Sequence, residues 1–253
     1  MWVIYRRELG AYFLSPLAYI FLIAFLSLNG LFFADRLWQG GVAELRELFL
    51  IFPITFLAIV PAMSMRIWAE EKKSGTFEVL MTLPLSSFRV VWGKFLAAWT
   101  FLTMAVLLTL VWVFEVENLA DYGQVAVAFG GEAAFQRGLD WGPIILGYVA
   151  TIFLAGVYLA IGCFFSSLTK NQILAFILTA FVLVLFYLFS TDVVLAVLEK
   201  WSILWAEFFY YLSFTSHFKM ISKGVLEAKS FVYLWTTTWI FLELTRLSVG
   251  WRS

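Results

Sequence analysis

The sequence predicts an all-α integral membrane protein. It has six transmembrane helices behind an N-terminal interfacial helix, a short cytoplasmic amphipathic helix between the second and third, and short re-entrant helices between the fifth and sixth. Three observations carry this reading. Of 253 residues, 63% are hydrophobic and 13% charged, with a mean hydropathy of +0.92, against roughly 45–50% and 25% in soluble domains. Six apolar stretches reach the roughly 17–25 residues that a helix needs to cross the hydrocarbon layer. The charges gather between those stretches, with Lys and Arg concentrated on one side. A single transmembrane domain over 1–253 is expected. The net charge of zero says nothing about orientation, which follows the placement of the basic residues.

The chain begins with 1–15, MWVIYRRELGAYFLS. Trp2, Tyr5, Leu9, Tyr12 and Phe13 can share one helical face and Arg6, Arg7 and Glu8 the other, as suits a helix in the headgroup layer or a positive flank of the first span. Pro16 allows a bend into the bilayer. No small-residue cleavage site follows, so the first apolar run reads as a retained span. The spans are expected at Pro16–Ala34, Leu48–Met65, Val90–Phe114, Pro143–Ser166, Ile173–Phe189 and Phe231–Val249, which puts both termini in the cytoplasm. Arg6, Arg7, Arg66, Lys72, Lys73, Arg89, Lys94, Lys170, Arg246 and Arg252 then fall inside, while the outer loop Glu115–Trp141 has five acids against Arg137 alone. Trp2, Trp38, Trp68, Trp92, Trp112, Trp141, Trp235 and Trp251 stand near span ends, as interfacial aromatics do.

Arg66–Pro84, RIWAEEKKSGTFEVLMTLP, is the densest run of charge. Ser74-Gly75 breaks the chain and Thr76 can cap the turn that follows. Phe77, Leu80 and Leu83 recur at helical spacing, Glu78 and Thr82 lie off that stripe, and Pro84 ends it. Such an element lies along the inner face and offers its polar side to something in the cytosol. On the other side, Asp35–Glu47 reads as a short polar loop. Within 191–230, the pieces Val193–Leu198, Ile203–Leu212 and Phe218–Leu226 are too apolar for a solvated loop and too short to span. They read as helices that dip into the outer leaflet, as a lid or as an anchor.

Several chemistries are missing. No GxxxxGK[ST] loop is present, and Gly93-Lys94 lacks the earlier glycine. One His, one Cys and no HExxH speak against a metal site, and no GxSxG elbow marks a hydrolase. No catalytic, cofactor-binding or metal-binding residue is expected, nor any affinity for nucleic acid. Glu243 is the only acid inside a span, and Arg246 can pair with it one turn on. Asn29, Thr103 and Thr179 face either the path or a neighbouring helix. Pro53 and Pro61 mark bends in the second span.

Three blocks together resemble the ABC-2 type exporter permeases. RREL-x2-YF-x-SP-x-AY, from Arg6 to Tyr19, looks like that family's elbow helix and first span. EEKKSGTFEVLMTLP, carried by Glu70, Glu71, Ser74, Gly75, Thr76, Phe77, Glu78, Leu80 and Pro84, is similar to its cytoplasmic signature. SHFKMISKGVLEAKSFVY, from Ser216 to Tyr233, resembles the segment before the last span in the gliding-motility and copper-maturation branch.

The resemblance implies a transmembrane subunit in a bacterial inner membrane, without enzymatic activity of its own. Two copies of a separate cytosolic ATPase would bind ATP and Mg. A second permease chain, the same or a related one, would pair with this one around the transport path, with lipid outside. The 66–84 loop would hold the coupling helix, with Glu70, Glu71 and Glu78 supplying charge at the dock and Thr169, Lys170 and Asn171 a second contact. Abundant Phe and few polar span residues tilt the cargo towards amphipathic or lipid-like molecules. The competing readings are a membrane scaffold that uses ATPase energy mechanically and a secondary carrier, although the latter lacks a midplane charge network.

Overall fold

The computed structural model describes residues 1–40, 46–82, 86–118, 141–200, 202–225 and 227–250, and no strand occurs among them. The helices are α1 (Trp2–Leu14), α2 (Pro16–Gly40), α3 (Arg46–Ser74), α4 (Thr76–Thr82), α5 (Ser87–Leu108), α6 (110–118), α7 (Trp141–Leu168), α8 (Gln172–Leu188), α9 (Asp192–Glu199), α10 (Ile203–Leu212), α11 (Phe214–Ser222) and α12 (Ala228–Gly250). Four stretches are long and apolar enough to cross a membrane: Pro16–Asp35, Leu48–Ser74, Ser87–Asn118 and Trp141–Leu168. A fifth arises if α8 and α9, bent by 66° across their junction, count as one broken span. α12 has the length, but Thr236–Thr238, Glu243 and Arg246 make it less apolar than the others.

The helices run further than the apolar stretches alone suggest. α2 continues past Ala34 to Gly40, because nothing between Asp35 and Gln39 breaks a helix and the first glycine pair comes at Gly40. α3 continues past Met65 to Ser74, so half of the expected 66–84 loop is helical. Arg66 and Glu70 pair at 3.1 Å one turn apart along it. Three short helices do occupy the 191–222 region, but the last starts at Phe214 instead of Phe218 and ends at Ser222. Ser213 sets that start, donating to Phe186 O at 2.7 Å and so tying the turn to α8.

α1 turns most of the expected stripe inward, with Leu9 and Tyr12 packed on the core and Tyr5 donating to Thr100 Oγ1 at 3.3 Å, but the buried face is rotated. Ile4 is buried while Trp2 is 67% exposed, because α1 packs along α5, where Gly93 leaves room for Ile4. The 4, 8, 12 row therefore faces inward and takes Glu8 with it.

α7 is the axis of the bundle and is in contact with α3, α5, α8, α11 and α12. Its glycines allow α3 to come close. A Cβ on Gly162 would lie 2.1 Å from Ser64 Oγ, and one on Gly147 would lie 2.5 Å from Phe49 Cζ. Without a hydrophobic force between helices in lipid, such close packing is what holds spans together. One turn beyond Gly162, Ser166 inserts into α3: its Oγ accepts from Trp68 N and Ala69 N, both at 3.1 Å, and donates to Met65 O at 3.0 Å. Phe25, Phe52 and Phe56 stack beside this seam. The buried Asn29 accepts from Thr55 at 3.2 Å, joining α2 to α3, and Thr179 is buried and bonds its own helix at Ala175 O. Both are therefore packing groups.

Gly162→Val is expected to cost roughly 1–3 kcal/mol by overpacking, read as a lower thermal unfolding midpoint in detergent. The same change at Gly142, where a Cβ meets nothing within 4 Å, should leave the midpoint nearly unmoved.

Candidate functional site

One end of the bundle gathers α1, the last turns of α3, α4, the start of α5 and the ends of α7 and α12. Ser167 O marks the meeting point, accepting from Lys72 Nζ on α3 and from Ser248 Oγ on α12 at 3.4 Å. Gly75 makes the turn from α3 into α4 with φ +76°, a left-handed conformation that costs a residue with a Cβ about 1–2 kcal/mol. Ser74 Oγ turns back to Glu71 O at 3.2 Å and lies 2.9 Å from Thr76 Oγ1. Thr76 is thus the first residue of α4, and its hydroxyl closes the end of α3 instead of capping the helix ahead.

Residues Phe77 and Leu80 seat α4. Both are buried; Phe77 meets the edge of Trp68 at 6.2 Å between centroids, and Lys72 Nζ lies 5.0 Å from the Phe77 ring. Glu78, Val79 and Thr82 are exposed, with Val79 66% accessible. α4 is therefore a short plate fixed by one face to α3, with an acid and an apolar residue on the other. Leu83 and Pro84 lie outside the described residues.

Behind α4 stands a charge cluster. Lys94 on α5 is only 3% exposed, yet its Nζ lies 2.7 Å from Glu71 Oε1 on α3 and 3.1 Å from Glu8 Oε1 on α1. Arg7 pairs with Glu8 at 3.0 Å and approaches Glu71 at 3.7 Å. The Lys94 ammonium also sits 5.5 Å from the Trp68 ring. Removing an ammonium from water is tolerated only when carboxylates surround it, so this cluster fixes α1, α3 and α5 to one another. Glu70 and Glu71 consequently differ in role: Glu70 faces out beside Arg66, and Glu71 is turned inward.

The other expected residues are dispersed. In the α7–α8 turn, Asn171 Oδ1 accepts from Ile173 N at 2.9 Å and caps α8, its own N–H donates to Thr169 Oγ1 at 3.0 Å, and Lys170 is exposed. Glu243 and Arg246 meet at 2.8 Å on α12. His217 is packed at the opposite end between Ser230 Oγ and Tyr211 O, each at 3.0 Å, with the Tyr233 ring 4.3 Å away. Burial pushes its pKa below the usual imidazole value. No group of three or more potential metal ligands occurs among the described residues.

A family model described as ABC-2 family transporter protein matches residues 13–249. The chain belongs to the ABC-2 transporter family. Members are the membrane components of transport systems and generally work with a cytosolic ABC ATPase. No curated protein matches the permease. The match is to the family; the narrower likeness to the gliding-motility and copper-maturation branch rests on the 216–233 motif.

The role of Lys94 in the permease is not visible in the span pattern, which marks it only as a positive charge near a span end. A signal was present: in VVWGKFLAAW one lysine stands among apolar residues and needs a carboxylate from elsewhere. Lys94→Met is expected to destabilise the permease by about 3 kcal/mol, since Glu8 and Glu71 lose their ammonium. In a double-mutant cycle by thermal unfolding, adding Glu71→Gln should recover about 1 kcal/mol or more of that loss. Purely additive costs would contradict the pairing.

Proposed function

We propose that this permease is the transmembrane subunit of an exporter in which two copies of a cytosolic ATPase bind and hydrolyse ATP, and that α4 is the helix on which that ATPase pushes. The observation that carries this reading is the two-sidedness of α4. Phe77 and Leu80 are buried against the α3 end while Glu78, Val79 and Thr82 are presented outward, at the end of the bundle where five other helices meet. A partner gripping that outward face moves the ends of all of them together. In this reading the α4 end faces the cytosol of a bacterial inner membrane and α12 is the sixth span. A second permease chain completes the path, and α9–α11 cover its outer side. Glu78 offers charge complementarity, with Val79 as its apolar neighbour. Glu70 and the exposed Lys170 flank the same end.

A lever must be stiff to transmit displacement. The Gly75 turn is held short by the Ser74–Glu71 and Ser74–Thr76 bonds, and α4 is clamped by Trp68, whose backbone N–H is in turn held by Ser166 of α7. Movement of α4 therefore reaches α3 and α7 directly.

Glu78→Lys is expected to reduce co-purification of the partner ATPase about tenfold, equivalent to roughly 1.4 kcal/mol, and to reduce transport in proportion, while membrane insertion and thermal midpoint stay the same. Undiminished capture would count against docking on α4.

A further inference from the structure

Between α1, the first turns of α2 and the end of α3 lies a cavity of about 350 Å³, at the small end of the range for ligand sites. It is two-sided. One wall is apolar, with Phe21, Met63 and Ile67; the other is charged, with Glu8, Arg66, Glu70, Glu71 and Lys94. The cavity straddles the junction at Ser15, where the polar flank of α1 gives way to the apolar run of α2. With α2 as the first span, that places it at the boundary between headgroups and acyl chains.

The charged wall has a specific deficiency. Glu71 Oε1 is occupied by Lys94, but Oε2 is buried and accepts no hydrogen bond, an unfavourable state that an added donor relieves. Arg66 holds Glu70 through Nε at 3.1 Å and another guanidinium nitrogen at 3.4 Å and has further N–H groups to give. On the cavity wall itself two cations, Arg66 and Lys94, stand against three carboxylates, Glu8, Glu70 and Glu71. A wall with one acid in excess suits a headgroup that brings an ammonium beside its phosphate better than an anion.

We propose that this cavity is a binding site for a phospholipid with a primary ammonium headgroup, of the phosphoethanolamine type. The ammonium pairs with the acidic side of the wall, where Glu70 is the most open carboxylate, the phosphate accepts from Arg66 as a charge-assisted pair, and the first methylenes of one chain lie on Phe21 and Met63. A trimethylated headgroup has no N–H to donate. An anionic headgroup without an amine meets Glu70 and Glu71 unbalanced. Free phosphoethanolamine leaves the apolar wall uncovered. The site does not depend on ATPase docking, since α4 contributes nothing to its lining.

The test is native mass spectrometry of the full-length permease in detergent, offered equal amounts of phosphatidylethanolamine, phosphatidylcholine and phosphatidylglycerol. Phosphatidylethanolamine should be retained about tenfold over either competitor. Ala11→Phe, which fills the mouth of the cavity from an exposed position on α1, should abolish that preference without changing helicity or thermal midpoint. Equal retention of the three lipids by the unaltered protein would overturn the proposal. So would a preference that survives Ala11→Phe, or displacement of the bound lipid by free phosphoethanolamine.

Discussion

An ammonium group at the edge of an apolar bundle has to be met by carboxylates, and the placement of Lys94 makes the rest of this end of the molecule follow. It stands about two turns into α5 and is almost wholly removed from solvent. The two acids that reach it come from different helices, Glu8 on α1 and Glu71 on α3. Each is thereby pinned in rotation as well as position. Glu71 can face Lys94 only if the last turns of α3 remain helical, which fixes where Gly75 must turn the chain. α1 can bring Glu8 inward only by laying Ile4 against Gly93. Buried ion pairs are poor sources of net stability compared with apolar contacts. Their value lies in specifying one arrangement, and here it is the arrangement of the three helices that frame α4.

From that frame the contacts lead inward without a flexible step. α4 is held on Trp68 through Phe77, and the backbone at Trp68 and Ala69 is bonded to Ser166 of α7. Close approach of α3 and α7 continues at Gly162 and Gly147, nearly the length of both helices. The contacts of α4 therefore lead through α3 to α7, and α7 in turn contacts α5, α8, α11 and α12. Packed interfaces of this kind switch between discrete arrangements instead of deforming smoothly, which suits the proposed coupling to a cytosolic ATPase.

Much of this was legible in the sequence because the membrane imposes simple rules. Long apolar runs located the helices, and the stripe Phe77, Leu80 with Glu78 off it located a two-faced element after Gly75. Positive φ at that glycine agrees with the break read there. What escaped depends on partners distant in sequence. Nothing local to Glu71 says that it turns inward while Glu70 turns out; that is decided by Lys94, 23 positions on. On α1 the stripe Tyr5, Leu9 and Tyr12 does face inward, but packing on α5 adds Ile4 to it and leaves Trp2 outside. Thr76 looked like a cap on local grounds, but the carbonyl at the end of α3 competes for its hydroxyl. Helix ends were underestimated wherever charged residues continued a helix with no breaker, as at Asp35–Gln39 and Arg66–Ser74.

The central claim is that work enters this permease through the exposed face of α4. Cross-linking in native membranes tests it most directly, using Val79→Cys in a background where the buried Cys163 is replaced by Ala, with the partner ATPase present. The account predicts a covalent adduct between position 79 and the ATPase whose yield changes with nucleotide, and labelling of that thiol only from the cytosolic side. Labelling from the outer side, or no adduct while the two subunits still co-purify, would contradict it.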